Sequence, residues 1–401
     1  MERKKILFMA EAVTLAHVGR PLALAAMLDR GRYDVHIACA PGYEMFFNGS
    51  NVRSWGLISI SSARFLAALA AGKPVYDAAT LHRYVEDDLR VFKQVRPDLV
   101  IGDFRLSLSV SARLAGVPYV GLINAYWSPW VRQHYRVPAI GLSRVLPIAI
   151  ADRLFKLARP LAFALHSVPL NQVRRTYGLP PLGHDLRRVY TDADHVLYAD
   201  ISEMFPATNL PSTHSYLGPV AWSPPTGLPD WWDALPADRP IVYVTLGSSG
   251  QGALLPRVLQ ALATLPVGVI AATAGKVAMG AVPPNARVAA YLPGIEAARR
   301  ASLVVCNGGS PTSQQALGAG VPVLGIAGNL DQYLNMHGVV ASGAGALLRS
   351  DRLNEDALRR AAVDLLEQPG ARAAARKVAG QFALYDAGAR LSALLRELLP
   401  L

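Results

Sequence analysis

The hydrophobic pattern alternates between two periods along the first half of the chain. Short continuous apolar runs are typical of strands that are buried on both faces of a sheet. They occur at Lys5–Ala10, Val35–Ala40, Leu57–Ile60, Leu99–Ile101 and Tyr119–Ile123. Segments with apolar residues at helical spacing lie between them, at Pro21–Leu28, 80–95 and Ser107–Leu114. Pro21 is expected in the first turn of its helix, where no amide donor is needed.

The same alternation begins again after a proline-rich, non-periodic stretch at residues 221–236. Predicted strands are Ile241–Leu246, Val267–Thr273, Arg287–Tyr291, Leu303–Cys306 and Val323–Ala327. Predicted helices are Ala253–Ala263, Pro311–Leu317, Asp331–Ala341, 354–367 and 387–399. Strands that alternate with helices indicate βαβ units and parallel sheets. The predicted fold class is therefore α/β, with two Rossmann-like, doubly wound parallel-sheet domains.

The proline-rich stretch divides the chain into predicted domains. The N-terminal domain is expected over residues 1–220, a linker over 221–239 and the C-terminal domain over 240–380. A terminal helical segment, 381–401, is expected to follow, with packing against the N-terminal domain as one option. A chain of 401 residues has the length of two ordinary domains.

Composition narrows the class of protein. The chain is 52% hydrophobic and 17% charged, which excludes a disordered or fibrous protein. Its two cysteines are too few for a disulfide framework. Because no uncharged apolar run reaches about 18 residues, we expect no transmembrane helix and a cytoplasmic location.

The net charge of +11 is concentrated in one region. Residues 130–190 hold ten Lys or Arg and only two acidic residues, Asp152 and Asp185. This surplus predicts a surface that meets an acidic partner such as a membrane or a phosphorylated ligand, with an ordinary solvated surface as the alternative. A nucleic-acid partner is not expected, since the basic residues are not interleaved with an aromatic platform.

Two polar residues follow predicted strands of the first domain. His17 comes after the first strand and Asp103 follows the strand 99–101. In open α/β sheets, ligands bind beyond the carboxyl ends of the strands. A carboxylate beside an imidazole orients the ring and stabilises its cation, so the pair can activate a hydroxyl. The alternative is that Asp103 caps the helix that begins near Ser107.

A third candidate lies in the second domain, at residues 303–322. This segment predicts a strand, a Gly-rich turn and a helix whose N-terminal amides, from Ser310 to Ser313, can hold an anion. Asp331, Gln332 and Asn335 follow the next strand. The residues 246–250, Leu-Gly-Ser-Ser-Gly, end the first strand of this domain.

At this point the sequence resembles the UDP-glucosyl/glucuronosyl-type glycosyltransferase family. That family's donor motif runs His-x-Gly-x-x-Thr-x-x-Glu-Ala-Leu-x-x-Gly-Val-Pro, followed by Pro-x-x-x-Asp-Gln-x-x-Asn. Here residues 307–322 read Asn-Gly-Gly-Ser-Pro-Thr-Ser-Gln-Gln-Ala-Leu-Gly-Ala-Gly-Val-Pro, and 329–335 read Asn-Leu-Asp-Gln-Tyr-Leu-Asn. The resemblance implies two domains facing across a cleft, the GT-B fold.

The resemblance also implies roles for individual residues. His17 and Asp103 fall where the family carries its catalytic base and the partner of that base. The implied donor-binding residues are Ser248, Ser249, Tyr291, Asn307, Gly309, Ser310, Thr312, Gln315, Asp331 and Gln332. Three departures stand out: Asn307 replaces a histidine, Gln315 replaces a glutamate, and three residues rather than two separate His17 from Pro21.

The predicted function is metal-independent, inverting transfer of a sugar from a nucleotide diphosphate to an acceptor hydroxyl, with no cofactor. The glutamine at position 315 favours a dTDP-sugar over a UDP-sugar, because an amide binds the ribose 2′-hydroxyl less strongly than a carboxylate. Two alternatives are a nucleotide-sugar epimerase on the same scaffold and a non-catalytic nucleotide-sugar binder.

The predicted acceptor is a small apolar or lipid-like molecule. Aromatic residues cluster at Tyr126, Trp127 and Trp130, which are candidate acceptor contacts. The helical segment 152–166 carries an apolar stripe of Leu154, Leu157, Leu161 and Leu165, with basic residues elsewhere on the helix. This pattern is typical of a helix that lies on an anionic membrane, and a helix packed on its own domain is the alternative.

Overall fold

The computed structural model describes residues 3–47, 52–247, 252–275 and 280–400. The chain divides into two compact units. The first holds the residues up to Arg132, Arg153–Val220 and the chain from Tyr385 onward, and the second holds Gln133–Asp152 and Ala221–Leu384. Each unit contains one sheet, and every strand pairing in both sheets is parallel. The predicted α/β class with two parallel-sheet domains is confirmed.

The first unit contains a seven-stranded sheet with the order β3-β2-β1-β4-β5-β6-β7. Its strands are β1 (Lys4–Ala10), β2 (Tyr33–Cys39), β3 (Arg53–Gly56), β4 (Leu99–Asp103), β5 (Tyr119–Ile123), β6 (His195–Tyr198) and β7 (His214–Tyr216). The helices that begin before β8 are α1 (Leu15–Met27), α2 (Ser62–Ala71), α3 (Ala78–Val95), α4 (Leu108–Ala115), α5 (Gly141–Val145), α6 (Ile148–Thr176) and α7 (Leu186–Tyr190). Of these, α5 lies in the second unit, and α6 begins in the second unit and continues into the first.

The second unit contains a six-stranded sheet with the order β10-β9-β8-β11-β12-β13. Its strands are β8 (Ile241–Thr245), β9 (Gly268–Ala272), β10 (Ala286–Ala289), β11 (Leu303–Cys306), β12 (Val323–Ala327) and β13 (Gly345–Arg349). The later helices are α8 (Leu255–Leu262), α9 (Gly294–Arg300), α10 (Ser310–Gly318), α11 (Leu330–Ala341), α12 (Glu355–Glu367), α13 (Pro369–Phe382) and α14 (Ala387–Leu398).

Both sheets reverse their strand order at one point, and these points position the candidate sites. In the first sheet the reversal lies between β1 and β4, where Ala10 is in register with Asp103. In the second it lies between β8 and β11, where Thr245 is in register with Cys306. Loops that leave adjacent strands in opposite directions open a crevice at such a point. Because β1 and β4 are neighbours, the segments that carry His17 and Asp103 leave adjacent strands at the same edge of the sheet.

Apolar strands and helix faces form the core of each unit. One cluster packs Leu7, Met9 and Val100 of the first sheet against Val91 and Phe92 of α3, and further residues complete it. The second sheet buries Val244, Val269 and Val305 against α8 and α12. Because these strands are buried on both faces, the continuous apolar runs in the sequence locate them well.

The predicted strand at Leu57–Ile60 is wrong. The strand in this region is β3, which ends at Gly56. The backbone N–H of Ile58 donates to the Asp87 carboxylate, and that of Ile60 donates to the Tyr84 hydroxyl. Side chains of α3 therefore take the backbone donors that a strand ladder would use.

The expected position of Pro21 is also wrong. Helix α1 begins at Leu15, so Pro21 lies inside the helix rather than in its first turn. A proline at this position has no N–H to donate to the carbonyl of His17, four residues earlier. As a consequence, His17 and Arg20 both lie on helical backbone, one turn apart.

The C-terminal segment from Tyr385 onward belongs to the first unit. The Tyr385 hydroxyl donates to the Glu203 carboxylate, 2.9 Å away, and Arg390 donates to the Tyr216 carbonyl. Gly218 has a φ of +98°, and a β-carbon there would lie 2.4 Å from the Tyr385 β-carbon. Only glycine fits both the conformation and the space at this contact.

Candidate active site

His17 and Asp103 form a hydrogen-bonded pair at the reversal point of the first sheet. Asp103 is the last residue of β4, and His17 is the third residue of α1. The distance between His17 Nδ1 and Asp103 Oδ1 is 2.7 Å. Because an ionised carboxylate can only accept, Nδ1 carries the proton and Nε2 is the nitrogen that can act as a base. The His17 side chain remains 18% exposed, whereas Asp103 is buried.

Arg20 contacts the same carboxylate through two hydrogen bonds. Its Nε donates to Asp103 Oδ2 at 2.9 Å and its Nη2 to Oδ1 at 2.8 Å. Burial alone lowers the pKa of Arg20, but the charge of Asp103 and its hydrogen bonds raise that pKa above its ordinary value. The alternative role of Asp103 as a helix cap is wrong, since Ser107 is the N-cap residue of α4 and Asp103 bonds elsewhere.

A chain of hydrogen bonds leads from this pair towards the aromatic segment after β5. Arg20 Nη1 donates to Asn124 Oδ1, and Asn124 Nδ2 donates to the Asp200 carboxylate. The same Asp200 oxygen accepts from the N–H of Ala125, 2.6 Å away. Ala125 begins the short helical turn that carries Tyr126 and Trp127. The His17–Asp103 pair and this turn are thus joined through buried polar groups.

An aromatic cluster lies beside the imidazole. Phe104 stacks on His17 with ring centroids 4.9 Å apart and an angle of 13° between the rings. It has a φ of +58°, an uncommon conformation for a phenylalanine. Phe104 contacts Phe65, Tyr76 and Tyr190. The backbone conformation of Phe104 thus places an apolar ring against the imidazole of His17.

The three predicted acceptor residues lie in different surroundings. Trp127 packs edge-on against Tyr190 and so extends the cluster that begins at Phe104. Tyr126 is fully buried and packs against Phe205. Trp130 packs edge-on against His214 at 4.6 Å. Of the three, Trp127 is the one that these contacts connect to the surroundings of His17.

The Gly-rich turn of the second unit follows β11, and its polar groups hold one another. Asn307 is buried, and its Oδ1 accepts from the N–H of Gly309 at 3.0 Å. Gly309 is the N-cap residue of α10, and Ser310 and Thr312 lie in the first turn of this helix. Asn335 donates to the Gly308 carbonyl and to the Ser313 hydroxyl. The predicted anion site is therefore a preorganised helix N-terminus.

Gln332 and Asp331 lie at the start of α11. Gln332 Oε1 accepts from the backbone N–H of Gly328 and of Asn329, and the Asn329 side chain caps the helix in return. Asp331 is half-buried in the first turn. One end of the Gln332 amide is thus committed to the capping box, which leaves its NH₂ group for a ligand.

Gln315 and Tyr291 lie in the same unit. Gln315 Nε2 donates to the Trp222 carbonyl at 2.6 Å, and its Oε1 lies against Gly294. Tyr291 is 37% exposed. Gly247 lies two residues after the end of β8, next to the Asn307 side chain. Ser248 and Ser249, which the sequence predicted as donor contacts, lie outside the described residues.

Sequence reasoning missed Arg20, Phe104, Asn124 and Asp200. One signal was available for Arg20, which lies in the segment between His17 and Pro21 that is one residue longer than in the family motif. A helix that starts at Leu15 places positions 17 and 20 on one face. Nothing in the sequence marks the backbone conformation of Phe104.

Within residues 3–47, 52–247, 252–275 and 280–400, no group of three or more His, Cys, Asp or Glu residues could hold a metal ion. No helix in the same ranges has both the length and the apolar character needed to cross a membrane. Metal-independent catalysis stays a prediction.

Comparison with known proteins identifies relatives along nearly the whole chain. The chain is 53% identical over 380 residues to the PGL/p-HBAD biosynthesis rhamnosyltransferase of Mycobacterium bovis (strain BCG / Pasteur 1173P2), covering 95% of this chain and 84% of that protein. It is 48% identical over 260 residues to a protein of the same strain named as an inactive PGL/p-HBAD biosynthesis glycosyltransferase, covering 65% and 71%.

Two further matches concern the fold. Residues 256–390 match the family model described as Erythromycin biosynthesis protein CIII-like, C-terminal domain. The structure resembles that of the spinosyn rhamnosyltransferase SpnG complexed with thymidine diphosphate, with a TM-score of 0.70, 18% identity, and coverage of 98% of this chain and 99% of that one. The predicted resemblance to a glycosyltransferase family is confirmed.

Proposed function

The chain belongs to the same glycosyltransferase family as these mycobacterial relatives, and we propose that it transfers a rhamnosyl-type sugar from a nucleotide diphosphate to a hydroxyl of an apolar acceptor. The observation that carries this proposal is the His17–Asp103 pair beside the aromatic ring of Phe104. A base next to an apolar surface suits a hydroxyl on a hydrophobic body. The similarity to a mycobacterial rhamnosyltransferase supports rhamnose as the sugar.

In this proposal His17 is the general base. Its Nε2 takes the proton of the acceptor hydroxyl while the oxygen attacks the anomeric carbon of the donor sugar. The bond from that carbon to the nucleotide diphosphate breaks, and the configuration inverts. Asp103 stabilises the imidazolium that forms, as in other histidine–carboxylate pairs.

The second unit would hold the donor. The N-terminus of α10, with Ser310 and Thr312, presents backbone N–H groups to the diphosphate, where negative charge grows as the bond breaks. Asp331 and the NH₂ group of Gln332 would form hydrogen bonds with sugar hydroxyls, and Tyr291 would stack on the nucleobase. Thymidine diphosphate bound to SpnG supports a dTDP-sugar, and a UDP-sugar is the alternative.

The experiment that tests this proposal mixes the purified protein with matched dTDP- and UDP-rhamnose and a phenolic acceptor that carries an alkyl chain. An acceptor-dependent glycoside is the expected product. Conversion of the nucleotide sugar without acceptor would instead indicate an epimerase. Binding of the nucleotide sugar without turnover would indicate a non-catalytic binder, an outcome that the inactive relative makes a specific alternative.

The exposed face of α6 supports a membrane-bound acceptor. Leu157 is 80% exposed and Leu161 66%, and Leu154 and Leu165 lie on the same face. The opposite face buries Phe163 and Leu170. The helix therefore packs on the protein through the face opposite the stripe, and the stripe itself is exposed.

We propose that this face docks on an anionic lipid bilayer. Arg153 and Lys156 are exposed beside the stripe, and Arg175 is exposed near its C-terminal end. Asp152 is the one acidic residue in α6, and its carboxylate accepts from the N–H of Val137. The apolar side chains suit the acyl region of a bilayer, and the basic side chains beside them complement the charge of anionic headgroups.

Co-sedimentation with vesicles tests the docking. We expect binding to phosphatidylglycerol vesicles at low salt, and loss of binding to neutral vesicles or in a variant with Leu157→Gln and Leu161→Gln. Leu384→Gln is the matched control, since Leu384 is 71% exposed in the second unit. Equal binding by both variants, or a dimer in solution that the two substitutions on α6 dissociate, would overturn the proposal.

A further inference from the structure

A residue in the segment where this chain departs from the family motif contacts the candidate base. Three residues lie between His17 and Pro21, and the third of them is Arg20. Its side chain is buried and donates to both oxygens of Asp103. The distance between Arg20 Nη2 and His17 Nδ1 is 3.3 Å.

The last of these contacts is a close approach between two donors. The short Nδ1–Oδ1 distance of 2.7 Å already assigns the proton of Nδ1 to Asp103. The guanidinium therefore adds a positive charge beside the imidazole without a hydrogen bond to it. That charge disfavours the imidazolium, whereas the carboxylate favours it.

We propose that Arg20 is a positioning residue that fixes the Asp103 carboxylate against His17 and offsets part of its charge. The inference deepens the proposed function and rests on it. With two donors on the carboxylate, Oδ1 stays directed at Nδ1 and the ring keeps Nε2 towards the acceptor. With the arginine in place, a positive charge lies 3.3 Å from Nδ1 of the imidazole.

Arg20 also connects the base to the acceptor side. Its Nη1 donates to Asn124, which donates to Asp200, and Asp200 holds the N–H of Ala125. The turn that begins at Ala125 carries Trp127, which packs on Tyr190. One buried arginine thus fixes the carboxylate and supports the turn that carries part of the aromatic cluster.

The charged groups that act on this pair come from several elements. On α1 itself, Arg20 is the one other charged residue. Asp103 faces the pair from β4, and Asp200 and the Tyr126 hydroxyl act on Arg20 from the segments that follow β6 and β5. Of these, Arg20 is the group whose removal takes away positive charge beside the imidazole.

The test compares two variants of similar size. Arg20→Lys keeps the charge and loses the paired hydrogen bonds, whereas Arg20→Gln loses the charge and can keep one bond. We expect the acid limb of the kcat/KM profile to move to higher pH by about one unit or more in Arg20→Gln and to stay near the wild-type position in Arg20→Lys. Both variants are expected to lower kcat by about tenfold to a hundredfold, with KM for the donor unchanged.

Arg174→Gln is the matched control, because Arg174 is a buried arginine that pairs with Asp192 and lies outside this network. It is expected to lower stability without moving the acid limb. If Arg20→Gln does not fold, Asn124→Ala removes the acceptor of Nη1 and is expected to lower kcat while KM for the donor stays unchanged.

Coincident acid limbs in Arg20→Gln and the wild-type protein would overturn the inference and leave the proposed function intact. For Asn124→Ala, an unchanged kcat would overturn it. A wild-type protein that transfers no sugar from any nucleotide donor would overturn both.

Discussion

The two parallel sheets reverse strand order at equivalent points, yet they place different chemistry there. In the first unit, helix α1 and the end of β4 bring together two charged side chains, Arg20 and Asp103, around an imidazole. In the second unit the turn after β11 holds neutral amides, Asn307 and Asn335, which bond to backbone groups. Similar topology would therefore serve two separate tasks in the proposed function: proton transfer needs charges of fixed orientation, whereas a diphosphate needs backbone N–H donors.

The largest effect is expected where the first region is broken. His17→Ala removes the nitrogen that accepts the proton and is expected to cut kcat by ~10²–10⁴. Thermal stabilisation of the variant by the nucleotide should match that of the wild-type protein, because the proposed donor-binding residues lie in the second unit. Near-normal turnover of the variant would contradict the assignment of His17 as the base.

The corresponding change in the second region is Asn335→Asp. A carboxylate cannot donate to the Gly308 carbonyl, so the turn loses its support at the cost of about 1–3 kcal/mol in the free energy of unfolding. We expect KM for the donor to rise about tenfold with a smaller change in kcat. A higher KM with little change in kcat, the opposite of the pattern expected for His17→Ala, would support the difference between the two regions. A loss confined to kcat would contradict it.

A change of pH is expected to alter the stability of the first unit through His214. Burial lowers the pKa of His214 to about 4, from an ordinary value of 6.5. As the pH falls, the unfolded chain binds this proton before the folded one does, so the free energy of unfolding is full above about pH 6.5 and decreases between pH 6.5 and 4, by about 3 kcal/mol in all. His214 contacts Trp130 and the Tyr198 hydroxyl. Denaturant unfolding of the wild-type protein and of His214→Gln across this range measures the effect. The same dependence of the free energy of unfolding on pH in both proteins would contradict it.

The smallest effect is expected at Gln315. The variant Gln315→Glu replaces a donor to the Trp222 carbonyl with an acceptor, which costs about 1 kcal/mol in stability. If the amide favours a donor that lacks the 2′-hydroxyl, the variant will narrow the ratio of kcat/KM for dTDP- over UDP-rhamnose a few-fold. A wild-type preference for the uridine donor that the variant leaves unaltered would contradict this interpretation.

Much of the first region could be predicted because its logic is local. Continuous apolar runs located β1 and β4, and parallel pairing then placed the residues that follow them at one edge of the sheet. Arg20 was missed because the helix was expected to begin at Pro21. The proline signal was overridden by the tertiary packing of a longer α1.

In the second region the motif located the turn, but the internal partners of its side chains could not be predicted. Gln315 bonds the carbonyl of Trp222, which lies in a stretch with no periodicity. A contact across 93 positions leaves no trace in local spacing. The conformation of Phe104 is a similar case, since a positive φ is stabilised by surroundings that are distant in sequence.

The contact between Tyr385 and Gly218 also bears on how the chain folds during synthesis. Every residue of the second unit precedes Tyr385, whereas the first unit includes the segment that follows it. The second unit can therefore form while the first is still incomplete, and packing of α14 against α1 must wait until α14 has been synthesised. This late, long-range closure favours slow completion of the half that was made first.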